Sequence, residues 1–147
     1  MIPQSQRAVS FLAQRLLTHV LPDQRTAFGA ADVAFLSLAF EMVAQDLERG
    51  VHARLEDIRE LRAIFGAARR LGPPDSLVAR LAAAEARELT DLRLGPLDAV
   101  HAQHAAAGIE LHAWIEEQRG PEAERLDREI WQHLERHAER HRYDVNF

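Results

Sequence analysis

The stretch "VHARLEDIRELRAIFGAARRL", Val51 to Leu71, decides the fold class. Val51, Leu55, Ile58, Leu61, Phe65 and Ala68 recur every three or four residues, the period of one helix face. No strand-like alternation of useful length competes with it anywhere in the chain.

The same period runs outward in both directions. Upstream, Ala8, Phe11, Leu12, Leu16 and Val20 share a face of a first helix, which Pro22-Asp23 ends. A second helix is expected to run to about Glu48 and stop at Gly50, since glycine commonly follows a helix end, with an earlier interruption near Gly29. Phe35, Leu36, Leu38, Ala39, Phe40, Met42 and Val43 make it apolar nearly all round, which predicts a central position. The quoted stretch is then the third helix. Downstream, "LGPPDS" breaks the chain and Asp75 suits the N-cap of a fourth helix. Leu94-Gly95-Pro96 interrupts again, with Pro96 fit for the first turn of a fifth. Gly120-Pro121 separates that from a sixth reaching about Arg142, and the tail is either loose or docked through Tyr143 and Phe147. Short connections favour antiparallel neighbours. The expectation is one all-α domain over 1–147, an antiparallel bundle of five or six helices, with N-terminal helices in 1–72 and a histidine-bearing hairpin in 96–142.

Composition excludes several chemistries. The 147 residues favour one domain and suffice for a real core. There is no cysteine, so disulfides, thiolate zinc sites and cysteine nucleophiles are ruled out. All 18 basic residues are arginine, which removes Schiff-base chemistry and a P-loop lysine; the alanine and arginine richness points to a GC-rich bacterial genome. With a net charge of −5 and no basic block beyond Arg69-Arg70, no nucleic-acid partner is expected. The N-terminus lacks the pattern of a signal peptide. The most apolar window, Ala27 to Ala44, holds Asp32, Ser37 and Glu41, so no membrane span is expected and a cytoplasmic location is. No G-x-S-x-G elbow, glycine-rich phosphate loop or H-E-x-x-H motif occurs.

One feature of the sequence carries chemistry. In "IWQHLERHAERHRYD", Ile130 to Asp144, His133, His137 and His141 stand four residues apart, on or beside the apolar face of Leu126, Ile130, Leu134 and Ala138. The fifth helix places His104 within its apolar face and His101 and His112 at its edge. In a hairpin turning at Gly120-Pro121, facing residue numbers sum to roughly 240. His101 then faces the level of His137 and His141, and His104 that of His133 and His137. Two imidazole pairs on facing helices can surround zinc, iron, nickel or copper. His101, His104, His133 and His137 are the candidate ligands, with Asp98 or His141 completing the set or orienting it. Against this stand two plainer readings: histidines hydrogen-bonded at a bundle edge, and a seam that weakens when clustered imidazoles protonate. The di-iron carboxylate pattern does not fit, because only Asp98-x-x-His101 has its form. "LEDIRELRAIF" reads first as a mixed-charge bundle seam, and Trp114 and Trp131 as core or hairpin residues.

"LLTHVLPD" and "LEDIRELRAIFGAARRL" resemble small all-helical bacterial proteins of unknown function encoded beside acyl-CoA dehydrogenase-like and aminoglycoside-phosphotransferase-like enzymes. The resemblance covers the first half of the chain and leaves out the histidine hairpin. It implies an accessory role around acyl-CoA or small-molecule metabolism and supplies no catalytic residues. With no complete catalytic set, the leading expectation is a helical accessory or interaction module. It would have a protein partner or form a homodimer, because the second helix has more apolar face than one neighbour covers. The alternative is a metal-binding bundle, an enzyme if the metal is catalytic.

Overall fold

The computed structural model describes residues 4–144. It is all-α, and no strand occurs among the described residues. Five α-helices follow one another: α1 (Ser5–Arg15), α2 (Ala27–Ala68), α3 (Asp75–Glu85), α4 (Leu94–Ile115) and α5 (Pro121–His141). A π turn over Leu16–Val20 and a 3-10 turn over Leu21–Asp23 extend α1 to the expected Pro22-Asp23 stop.

The expected second and third helices are one. Gly50 is buried and, unlike Gly72 and Gly120, keeps a negative φ, so it does not adopt the left-handed conformation that ends a helix. No proline follows it, and Val51 resumes the helical period at once. Gly29 does not interrupt α2 either. It lies in the first turn, where its N–H donates to Thr26 Oγ1 at 3.0 Å, so Thr26 is the cap. By contrast Gly72 (φ 68°) closes the 3-10 turn Arg69–Leu71, and Gly120 (φ 110°) immediately precedes Pro121 at the start of α5. Asp75 is the first residue of α3 rather than its cap. It makes no capping hydrogen bond, and its charge sits in the first turn, where the helix dipole favours an anion.

The described residues form two compact units. One comprises the chain up to Gly50 with the chain end from Tyr143; the other is Val51–Arg142. In the first, α1 and the early part of α2 meet where the buried Ser37 hydroxyl donates to the Ala13 carbonyl at 2.9 Å. Asp144 exchanges backbone–side-chain hydrogen bonds with Gln45, of 2.8 and 2.9 Å, so the tail docks through Asp144. Tyr143 stays exposed, and Phe147 lies outside the described residues.

The second unit holds the main core. Leu61, Ile64 and Phe65 of α2 pack with Leu77 and Leu81 of α3, Leu111 and Ile115 of α4, and Leu126 and Ile130 of α5. Gly108 lets α4 come close to α2, since a Cβ there would lie 3.1 Å from Leu61 Cδ2. Trp114 packs on the edge of this core, while Trp131 is half exposed. By length and composition residues 27–71 are apolar enough to cross a membrane. The most apolar part does not take the central position expected for it, since Phe35 and Leu36 are 70% and 51% exposed and Phe40 and Val43 are exposed as well.

Leu111 is fully buried, whereas Ile109 on the same helix is 71% exposed. Leu111→Ala should therefore cost about 2–5 kcal/mol, and Ile109→Ala within about 0.5 kcal/mol. Urea midpoints measure both, and equal losses would contradict the core as described.

Candidate metal centre

The site is built around a residue that the sequence hides inside a charged run. Asp57, Leu61, Ile64 and Ala68 succeed one another by four, three and four residues. A helix that buries Leu61 and Ile64 must therefore bury the carboxylate too. Asp57 is fully buried. Its Oδ2 lies 3.1 Å from His101 Nε2, 2.7 Å from His137 Nδ1 and 2.7 Å from His141 Nε2. Its Oδ1 accepts a hydrogen bond from the Arg140 guanidinium. One ligand atom from each of Asp57, His101, His137 and His141 lies within 4.8 Å of all the others, a group that can hold a metal ion.

The helix repeat explains the convergence. His137 and His141 are one turn apart on α5, with ring centroids 4.4 Å from each other. His101 on α4 sits 5.8 Å from both rings. A second carboxylate stands one turn beyond Asp57. Glu60 receives His133 Nδ1 at 2.8 Å, Arg136 Nε at 3.0 Å and the Arg140 guanidinium. Arg140 thus bridges the two acids.

Burial alone would push the Asp57 carboxyl up, but hydrogen bonds from His101, His137 and His141 outweigh it and hold it far below the usual carboxylate range. Burial opposes Glu60 as well, and His133, Arg136 and Arg140 bring its pKa down to about 2. For both groups the folded state binds protons less readily than the unfolded chain. Their contribution to stability is complete above the ordinary carboxylate range and is lost as pH falls through the folded values. Burial works against the charged form of Arg140, and Glu60 and Asp57 overcome it and raise its pKa.

Of the expected residues, the structure brings together His101 and His137 with His141, the residue expected to complete or orient the set, and it adds Asp57. Asp98 instead pairs with Arg54, and His133 turns to Glu60. His104 is fully buried and stacks on Phe65 with centroids 6.1 Å apart. Its Nδ1–H donates to the Val100 carbonyl at 2.9 Å and its Nε2 accepts from Arg62 Nε at 3.2 Å, so both ring nitrogens are used away from the cluster. The placement in the middle of the apolar face of α4 that suggested His104 as a ligand is what seals it in the core. His112 pairs with Asp127 at 3.1 Å and meets the Trp131 ring edge-on.

The chain matches no family model, no curated protein and no solved structure.

Burial, the largest influence on His104, lowers its pKa. The unfolded chain then takes up a proton near pH 6.5 that the folded state refuses, so stability is greatest above that pH and falls below it. The urea midpoint of the protein should drop between pH 7 and pH 5, and His104→Gln should show a smaller drop. An identical drop in the variant would contradict a neutral, sealed imidazole.

Proposed function

We propose that the protein is a metal-binding helical protein whose ion is held by Asp57, His101, His137 and His141. One observation carries this reading: three imidazole nitrogens crowd a single buried carboxylate oxygen. That oxygen offers two lone pairs to three imidazole nitrogens, so the donor atoms are concentrated at one point. A cation facing all four donor atoms accounts for the crowding. Around a tetrahedral ion with bonds of roughly 2.1 Å, neighbouring donors stand roughly 3.4 Å apart. The three nitrogens, now 2.7–3.1 Å from Asp57 Oδ2, therefore move away from it by a few tenths of an ångström while the wider pairs, all within 4.8 Å, close in. Imidazole with carboxylate suits zinc, iron, nickel or copper as divalent ions. Arg140 on the other carboxylate oxygen fixes the aspartate's orientation, and Glu60 offsets the charge of Arg140.

A second reading concerns partners and rests on the first unit. Its buried apolar residues are Ala13, Val33 and Ala44, whereas Phe11, Phe28 and Phe35 are 57%, 78% and 70% exposed. Leu36, Val43 and Leu47 of α2 are exposed beside them. A pair of helices with this much open apolar surface needs cover. A second copy fits by charge: α1 carries Arg7 and Arg15 and no acid, while α2 before Gly50 carries Asp32, Glu41, Asp46 and Glu48 against Arg49. The protein is therefore read as a homodimer joined through this face, and its five helices as an antiparallel bundle of the kind short connections favour. A cytoplasmic accessory role near small-molecule enzymes is compatible with the resemblance of the first half of the chain.

Metal analysis by mass spectrometry of untagged protein, purified without chelator, should find about one transition-metal ion per chain. Asp57→Asn and His141→Ala should lose it, and His104→Gln should keep it. Protein that stays metal-free after incubation with zinc, iron, nickel and copper and then dialysis would end the metal reading. Sedimentation should give a dimer that Phe35→Glu converts to a monomer. A wild-type monomer at tens of micromolar would end the dimer reading.

A further inference from the structure

A cavity of about 450 Å³ lies against the same imidazoles. His101 and His137 line it as well as belonging to the metal-ligand group. Beyond them its wall is mainly apolar: Leu61 and Ile64 of α2, Ala105 of α4, and Ile130 and Leu134 of α5. Its size falls within the range of small-molecule sites, which combine an apolar lining with a few polar groups at one place. Gly108 also lines it, and the missing side chain leaves part of that room.

We propose that this cavity is the ligand pocket of the metal centre and takes a small organic acid with an apolar body. The inference rests on the metal reading above. The sign of the head group follows from charge. A divalent ion on one aspartate and three neutral imidazoles leaves the end at His101 and His137 positive, and Arg140 is balanced by Glu60. The acidic residue in the lining, Glu116, is 61% exposed in its side chain and lies about four helical turns along α4 from His101. A carboxylate is thus drawn to the imidazole end, and the hydrocarbon part lies on Leu61, Ala105 and Leu134. Ions such as iron, nickel and cobalt accept five or six ligands, so four protein donors leave positions for the incoming carboxylate.

The test uses full-length protein loaded with cobalt(II), titrated with 4-phenylbutyrate and with acetate. Binding is followed by calorimetry and by the visible absorption of the cobalt. Phenylbutyrate should change the cobalt spectrum and bind at least about tenfold more tightly than acetate, the factor expected when some 60 Å² of apolar surface is buried. Ile109→Asp, at an exposed position on the pocket wall, and Ala105→Phe, which fills the pocket, should each still bind cobalt and lose that preference. Cobalt binding without any response to phenylbutyrate, or equal preference in both variants, would overturn the pocket and leave the metal reading standing. Equal binding of phenylbutyrate by metal-free protein would overturn the metal-directed head group. Failure to bind cobalt at all would overturn both.

Discussion

The second unit is organised around one buried negative charge. A carboxylate removed from water is costly unless its oxygens are fully engaged, and Asp57 has no exposure at all. Every group that engages it comes from a distant part of the chain: His101 from α4, and His137, Arg140 and His141 from α5. Satisfying that charge helps fix the mutual register of three helices, since a carboxylate ringed by named donors does not tolerate sliding. Removing one partner leaves a charged group unsatisfied, which costs more than the net value of the contact.

Glu60 extends this arrangement by a turn. The two acids face a run of basic groups on α5 spaced by the helix repeat, with His133 and Arg136 on Glu60, His137 and His141 on Asp57, and Arg140 on both. Alternation of imidazole and guanidinium along α5 separates two jobs. The guanidiniums neutralise, since they stay charged, while the imidazoles supply lone pairs once they lose a proton. A donor group of this kind beside an apolar cavity is the combination from which metal-dependent binding sites are made.

Much of this was legible in the sequence. The all-α class followed from the period of Val51 to Leu71, and the stops at Pro22, at Gly72-Pro73 and at Gly120 followed from residues that cannot continue a helix. The continuity of α2 through Gly50 was not legible, because glycine serves both as a helix end and as a buried interior residue, and only its φ tells them apart. In the site, the facing of His101 with His137 and His141 came from hairpin arithmetic. His104 and His133 could not be placed by pairing two helices alone, because α2 supplies their partners Phe65, Arg62 and Glu60. Asp57 was hidden among the charges of "LEDIRE", although its spacing to Leu61 and Ile64 marks it as the acid on the buried stripe.

The most direct test of the central claim is X-ray absorption at the metal edge of protein loaded with a single equivalent of zinc. The expected spectrum shows imidazole nitrogens and a carboxylate oxygen at roughly 2.0–2.2 Å, with the imidazole signal reduced in His141→Ala. A spectrum of oxygen and water ligands alone, or one unchanged by His141→Ala, would contradict a metal ion held at Asp57.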